Sequence, residues 1–463
     1  MVWVGPSSSR WGSSISPTAT KFGDPSTIPA RKCPGFVRVG ILSICCSGWT
    51  RVRGPPVSKA PHQTWPIKAI RDPIVVMAVS VFLNVTGFTL IDPVIPSLVG
   101  MYEPPSRLAL FVGLIISIYA ACEFVAAPVL GAFSDRFGRK PVLLISLTGS
   151  AVGYLVFGMG GAIWVLFLGR IIDGLSAGNI SVIYASVADV TPPRERGQVY
   201  GMLGAVGGAG FMLGPVMGGL LGQQSPSAPL FAAAGLTAVN ILWVIIAVPE
   251  SLPPTARDAP KSRLSFSPFT QFSYAFSFRA LRFIFVPAFL FFLAGAMMQG
   301  NISVFLMSVL RFGPLGIGLV LFLVGMLDIL SQGVLASRLL PRLGEIRVAR
   351  TGLFFNIIGF AALGSVALLP SIPLLIAAIS LFTLGDGLFQ PSSSALIANA
   401  APADTQGRIQ GANQGQQSIA RMIGPLLGAA STSLSISAPY WAGAVIVAVA
   451  LTAIMHRRPS HAA

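Results

Sequence analysis

Residues 131–140 read GAFSDRFGRK, a charged decapeptide set between two long apolar stretches. Asp135, Arg136, Arg139 and Lys140 carry the charge, and Gly131 and Gly138 permit the bends. In a chain that is 10% charged and 53% hydrophobic, such density marks a short loop turning sharply at a membrane surface. Three cations against one acid place that loop on the cytoplasmic side, where short loops collect Lys and Arg.

The rest of the chain agrees with a membrane setting. A mean hydropathy of +0.76 over 463 residues is too apolar for a soluble protein, whose surface needs more charge. The 50 Gly and 36 Pro fall inside apolar runs, where membrane helices tolerate them. The net charge of +16 is no nucleic-acid footprint, because the cations gather in loops and form no stripe with interleaved aromatics. Cys33, Cys45, Cys46 and Cys122 lack zinc spacing or a disulfide framework, and three histidines leave little for a metal site or triad. No phosphate loop or nucleophile–base pairing emerges, so neither an enzyme nor a cofactor is expected.

Residues 1–70 differ in kind. They are rich in Ser, Pro, Arg and Lys, with Asp24 the lone acid before Asp72. A disordered cytoplasmic tail, a wrongly assigned start, or a transit peptide would each look like this. The last would move the protein from the cell membrane to an organelle.

A bilayer crossing needs roughly 20 mainly apolar residues. Twelve such stretches are expected, near 74–99, 108–133, 141–160, 162–188, 198–222, 229–248, 283–307, 315–336, 350–369, 372–398, 408–432 and 437–455. The longest polar interruption, 249–282, divides them six and six. It separates an N-terminal half (71–248) from a C-terminal half (283–456), with a tail at 457–463. Arg136, Arg139, Lys140, Arg194, Arg196, the central-loop cations and Arg338, Arg342, Arg347 and Arg350 fall on one side. Arg107 and Arg311 alone fall on the other. Both termini are therefore expected in the cytoplasm.

An internal repeat supports the division. Gly197, Gly201, Gly214, Pro215 and Gly218 recur 210 residues later as Gly407, Gly411, Gly424, Pro425 and Gly428. Arg342-Leu343-Gly344 is a weak second copy of Arg136-Phe137-Gly138. The fold class expected is an all-α integral membrane protein of twelve helices in two pseudo-symmetric six-helix halves.

On these motifs the chain resembles the major facilitator superfamily, and within it the drug/proton antiporters with twelve spans. GAFSDRFGRK resembles the superfamily's loop after the second span, and its context APVLGAFSDRFGRKPVLL is similar to tetracycline/proton antiporters. The resemblance implies a gating role for the loop; on physics alone it sets topology. Arg170 in GRIIDG resembles a fourth-span motif, for which the family implies coupling to proton movement. Asp173, three residues on, is its nearest partner, and a merely structural ion pair would look the same. GFMLGPVMGG resembles the family's antiporter motif, which is associated with export. Physically it offers a packing ridge, Gly210, Gly214, Gly218 and Gly219, with Pro215 as a bend.

Charges at membrane depth complete the expected site. Glu123, Asp328 and Asp386 join Arg170 and Asp173 as proton-coupling candidates, since an ionised carboxylate there must be protonated, paired or wet. Asn84, Asp92, Gln299, Asn301, Gln332, Asn356 and Gln390 are expected to line a substrate cavity; Asp92 could equally be interfacial. Where tetracycline antiporters carry functional acids in the first and ninth spans, this chain has Asn84 and Asn356. Asp328 stands where they carry a histidine. These departures argue against tetracycline itself. The expected activity is proton-coupled efflux of small amphipathic compounds by a monomer, with substrate, protons and lipid as its partners and no nucleic acid. A metabolite importer or facilitator, and a receptor or scaffold that has lost transport, are the alternatives.

Overall fold

A computed structural model describes residues 73–192, 195–252, 279–400 and 406–455, and every regular element among them is helical. The first half runs α1 (Pro73–Thr89), α2 (Ile95–Val99), α3 (Pro105–Phe137), α4 (Arg139–Met159), α5 (Ile163–Ser176), α6 (Asn179–Val190), α7 (Arg196–Gly222) and α8 (Ala228–Ala247). The second runs α9 (Arg279–Val309), α10 (Pro314–Leu330), a π-helical turn (Ser331–Ala336), α11 (Ser337–Leu343), α12 (Glu345–Val366), α13 (Ile372–Ala400), α14 (Gln406–Thr432) and α15 (Ala438–Met455). The leader 1–70, most of the central loop, the tail 457–463 and Arg194 lie outside the described residues.

Among the described residues ten helical stretches are long and apolar enough to cross a bilayer. Two further helices, one short and one polar, stand where the other two of the twelve expected stretches fall. The first span is divided: α1 holds 17 residues, and α2 resumes after a turn at 90–94 that contains Asp92 and Pro93. The eleventh, α14, has 27 residues but carries too much Gln, Asn and Arg to register as apolar. Two other spans are also irregular. Ala177 and Gly178 separate α5 from α6, and the π-helical turn sits between α10 and α11.

The two halves repeat each other in detail. Helix α7 starts at Arg196 and α14 at Gln406, 210 residues later, and each holds 27 residues. Between α3 and α4, Gly138 adopts φ +105°; between α11 and α12, Gly344 adopts φ +77°. A side chain is strained at such φ, so glycine lets one helix end and the next begin with a single residue between them. The weak Arg342-Leu343-Gly344 match therefore marks the structural copy of the opening decapeptide's turn.

Between membrane helices burial from water drives little, so close backbone approach decides packing. A Cβ on Gly210 would meet the Phe82 carbonyl oxygen of α1 at 3.0 Å, and one on Gly214 the Thr86 carbonyl oxygen at 2.8 Å. Gly218 abuts the Leu90 carbonyl just beyond α1. The sequence ridge is thus the seat of the first span. In the second half Gly424 meets Met297 N of α9 at 2.9 Å, and Gly428 abuts Asn301.

Contacts between the halves run mainly along two helix pairs, α3 with α14 and α7 with α10, and α9 also touches α2 and α3. The second pair shows a gradient. Cβ atoms built on Gly222 and Gly219 would lie 2.9 and 2.7 Å from Pro314. Further along, a Cβ on Gly325 would lie 3.3 Å from Met212 and one on Gly208 3.4 Å from Ile329, while one on Gly204 or Gly201 would meet nothing within 4 Å. The halves are closed at one end and separate toward the end that carries GAFSDRFGRK.

Candidate functional site

The deepest charge in the first half is Arg170 on α5, 3% exposed, with Asp173 at 2%. Small residues admit it. Cβ atoms added to Gly153 of α4 or Gly169 of α5 would stand 2.8 Å from Asp173 N and 2.6 Å from Phe157 N, so only glycines allow these helices to lie this close. Arg170 Nη1 lies 3.5 Å from Asp173 Oδ2. The guanidinium also sits over the rings of Phe157, at 4.8 Å, and Tyr119, at 5.4 Å. Desolvated cation–π contacts of this kind contribute about 2 kcal/mol or more. Arg170 Nε and Nη1 and Asp173 Oδ2 make no hydrogen bond. The pair is held by charge, by ring faces and by Ser150, whose side chain hydrogen-bonds Asp173, and those three atoms stay open to other partners.

Around that pair stand Asp92, Tyr154 and Glu123. Asp92, in the turn that divides the first span, lies within electrostatic reach of Arg170, and Tyr154 within reach of Arg170, Asp173 and Asp92. Glu123 on α3 interacts electrostatically with Asp173 and, across the boundary between halves, with Arg421 of α14.

The second half places Asp328 and Asp386 within electrostatic range of each other. Gln332 Nε2 donates to Asp328 Oδ2 at 2.8 Å, and Gln390 Nε2 approaches Asp386 Oδ2 at 3.5 Å. Each glutamine stands four residues after its aspartate on the same helical face, which makes two carboxylate–carboxamide pairs. Gly387, next to Asp386, abuts Ser331, and its Cβ would lie 3.2 Å from Gln332 N, so α13 presses on the π-helical turn. Single π turns inside α-helices recur at functional sites.

The remaining polar candidates divide by burial. Asn84 is half-buried and Gln299 is exposed, positions from which either could meet a solute. Asn301 and Asn356 are 3% and 1% exposed. Asn301 Nδ2 donates to the Met297 carbonyl at 2.9 Å, and Asn356 Nδ2 to the Phe382 carbonyl at 3.2 Å. In this conformation Asn301 bonds back along α9 while abutting Gly428 of α14, and Asn356 bonds from α12 to α13, so both are buried among packed helices. The sequence reading passed over Tyr119, Tyr154 and Arg421. Arg421 had a legible signal: it is a charged residue in the middle of a span.

The decapeptide ties together the first half. Arg139 Nε donates to Asp189 Oδ2 at 2.9 Å, and Nη1 lies 2.5 Å from Asp135 Oδ1. The Arg139 and Lys140 amides donate to Glu250 at 2.9 and 3.3 Å, and Lys140 Nζ to the Ile245 carbonyl at 2.8 Å. Arg136 stacks on Phe137 at 5.4 Å. These partners come from the ends of α3, α6 and α8, all within one half. Gly131 meets nothing within 4 Å, as expected where the halves stand apart. Among the described residues no group of three His, Cys, Asp or Glu could hold a metal ion.

A family model for the Major Facilitator Superfamily matches residues 77–425 and 342–463. The chain belongs to the Major Facilitator Superfamily. It is 32% identical over 384 residues to the class C tetracycline resistance protein of Escherichia coli, covering 82% of this chain and 94% of that protein. The class H tetracycline resistance protein of Pasteurella multocida is 29% identical over 395 residues, 83% of this chain and 96% of its own length. Among solved structures, the human organic anion transporter MFSD10 (TETRAN) superimposes with a TM-score of 0.65 at 25% identity, over 82% of this chain and 98% of that one. This member of the Major Facilitator Superfamily is accordingly a multi-pass membrane transporter of small molecules, not an enzyme.

Proposed function

We propose that this transporter exports small amphipathic organic compounds in exchange for protons, by alternating access between its two halves. The observation that carries the reading is the graded opening between α7 and α10, tight at Pro314 and empty at Gly204. It is the shape expected of one state of a rocking pair around a midplane site. The excess of Lys and Arg at the open end puts that end in the cytoplasm, which makes this the inward-open state. The similarity to proteins named for tetracycline resistance supports export over import. Asn84, Asn356 and Asp328 differ from the residues expected of a tetracycline carrier, so the cargo is a different amphipath. Arg170–Asp173 and the Asp328/Asp386 pair are the groups through which a proton would bias one state over the other. The protein works as a monomer.

The test is flux in vesicles containing the purified full chain under an imposed pH gradient, with a panel of fluorescent amphipaths. Dye movement that follows the gradient and stops on its collapse is the expected result. Asp328→Asn and Asp386→Asn should abolish the gradient dependence while dye binding survives. Equilibration of dye without regard to pH, or indifference of both variants, would overturn the proton-coupled reading.

A further inference from the structure

Helix α14 carries a charge that the mechanism above leaves without a task. Arg421 lies 15 residues after Gln406, hence about 22 Å along the helix. Glu123 lies 14 residues before Phe137, about 21 Å from the same end of α3. The two helices run antiparallel across the boundary between the halves. At Gly113 they touch, with a Cβ there 2.8 Å from the Pro425 carbonyl oxygen and 3.0 Å from Ala429 Cβ. Ten residues along α3 from Gly113, that register brings Glu123 opposite the turn just before Arg421. Side chains lean toward the N-terminus of their own helix, which in an antiparallel pair turns these two toward each other. Their electrostatic interaction agrees with the register.

Arg421 faces the boundary and not lipid. Gln414, Gln417, Ser418 and Arg421 recur at helical spacing. The same stripe continues as Gly424, Pro425 and Gly428, which pack on α3 and α9. The apolar residues Ile419, Ile423, Leu426 and Leu427 fill the opposite face. Where the stripe leaves the closed end it opens, and both Gln414 and Arg421 are exposed. Among the described residues Arg421 has no hydrogen bond and no acid within salt-bridge distance. A permanently charged fork with five unused donors, at mid-depth in a membrane helix, is a binding group awaiting a partner.

We infer that Arg421 is the anion-recognising residue of the substrate site, so that the preferred cargo is an amphipath bearing a carboxylate or comparable oxyanion, with Glu123 as the internal acid that competes for the guanidinium. This rests on the export reading and narrows its substrate class. Planar bidentate contact with a carboxylate is what a guanidinium offers and a lysine does not. The stripe's carboxamides, Gln414 and Gln417, supply further donors, and the apolar walls of the halves take the rest of the molecule. Asp328 and Asp386 pull the other way, toward cations, and matched probes decide between the two.

Fluorescein and rhodamine 6G share a xanthene ring and differ in the sign of their charge. Binding of each to the purified full chain, read by fluorescence anisotropy, should favour fluorescein. Arg421→Gln should weaken fluorescein about 10- to 100-fold, the loss of a charge-assisted contact, and leave rhodamine 6G unchanged. Arg421→Lys should recover only part of the loss, and Glu123→Gln should tighten fluorescein several-fold. Retained rhodamine binding shows that each variant is folded. Preference for rhodamine 6G, or equal fluorescein affinity in wild type and Arg421→Gln, would overturn the inference. Because binding needs no gradient, failure of pH-driven flux with these affinities intact would count against proton-coupled export alone.

Discussion

At the scale of single residues, the bundle's chemistry is set by what surrounds each buried charge. Arg170 has one acid 3.5 Å away and two aromatic faces at 4.8 and 5.4 Å. Asp173 lacks the aromatic support and has the cation and one hydrogen bond with Ser150. The two truncations should therefore differ. Removing one partner of a buried ion pair costs about 3–5 kcal/mol, a large share of a net stability of about 5–15 kcal/mol. Arg170→Gln leaves Asp173 and the nearby Asp92 without a cation, whereas Asp173→Asn leaves the guanidinium its rings. Denaturation in mixed micelles should rank Arg170→Gln as the more damaging. The double variant Arg170→Gln/Asp173→Asn should cost clearly less than the sum of the singles. Additive losses would mean that the two side chains do not act as a pair.

At the scale of helices, α7 divides into a packed stretch and an idle one. A Cβ on Gly219 would lie 2.7 Å from the Pro314 carbonyl oxygen and 2.9 Å from Leu315 Cα, both backbone atoms that cannot step aside. Gly219→Ala should lower the melting temperature of the purified protein. Gly204→Ala, with nothing within 4 Å, should leave it unchanged or raise stability by up to about 1 kcal/mol, the helix-propensity gain over glycine. The larger Gly204→Leu should melt normally yet slow transport, because α10 must reach that face when the open end closes. Normal turnover in Gly204→Leu would show that the idle stretch never packs. This division also explains what was legible in advance. The twelve stretches follow the helices closely, since their lengths reflect bilayer thickness and each apolar run ends in charge or Gly/Pro. The 210-residue repeat likewise marked α7 and α14. The break at Ala177–Gly178, the turn around Asp92 and the π-helical turn after Leu330 were not legible, because single carbonyl bonds decide them and a hydropathy average does not see those. Asn301 and Asn356 looked like cavity residues because their polarity showed in the sequence and their neighbours did not. GAFSDRFGRK marked a turn, but only Gly138 makes it: Gly131, expected as a second bend, lies inside α3, which runs on to Phe137, and the partners Asp189 and Glu250 lie 50 or more residues away along the chain and are set by the fold.

At the scale of the whole molecule, the two interfaces should exchange roles during transport. Packed interfaces switch between discrete arrangements more readily than they deform continuously, so closing the open end requires the tight end to part. Cysteine pairs can test that exchange in a background lacking the native cysteines. In the described conformation a Cβ on Gly113 would stand 3.0 Å from Ala429 Cβ, nearer than the about 3.5–4.5 Å of a bridged pair, and 2.8 Å from the Pro425 carbonyl oxygen, so Gly113→Cys/Ala429→Cys should oxidise here with some loss of thermal stability. At the other end, one helical turn beyond the Gly208–Ile329 contact, Gly204 faces the level of Gly333, and neither has a neighbour within 4 Å. Gly204→Cys/Gly333→Cys should resist direct oxidation here and accept a spacer-length bis-maleimide. A ligand shifts such an equilibrium only by its differential affinity for the two states. Substrate or a proton gradient that favours closure of the open end should therefore speed oxidation of the Gly204/Gly333 pair and slow that of the Gly113/Ala429 pair. Proteolysis within the central segment followed by non-reducing electrophoresis reads both. Either disulfide, once formed, should stop transport and reduction should restore it. Rates that rise together, or transport that continues through a locked pair, would mean that the halves do not rock as rigid units.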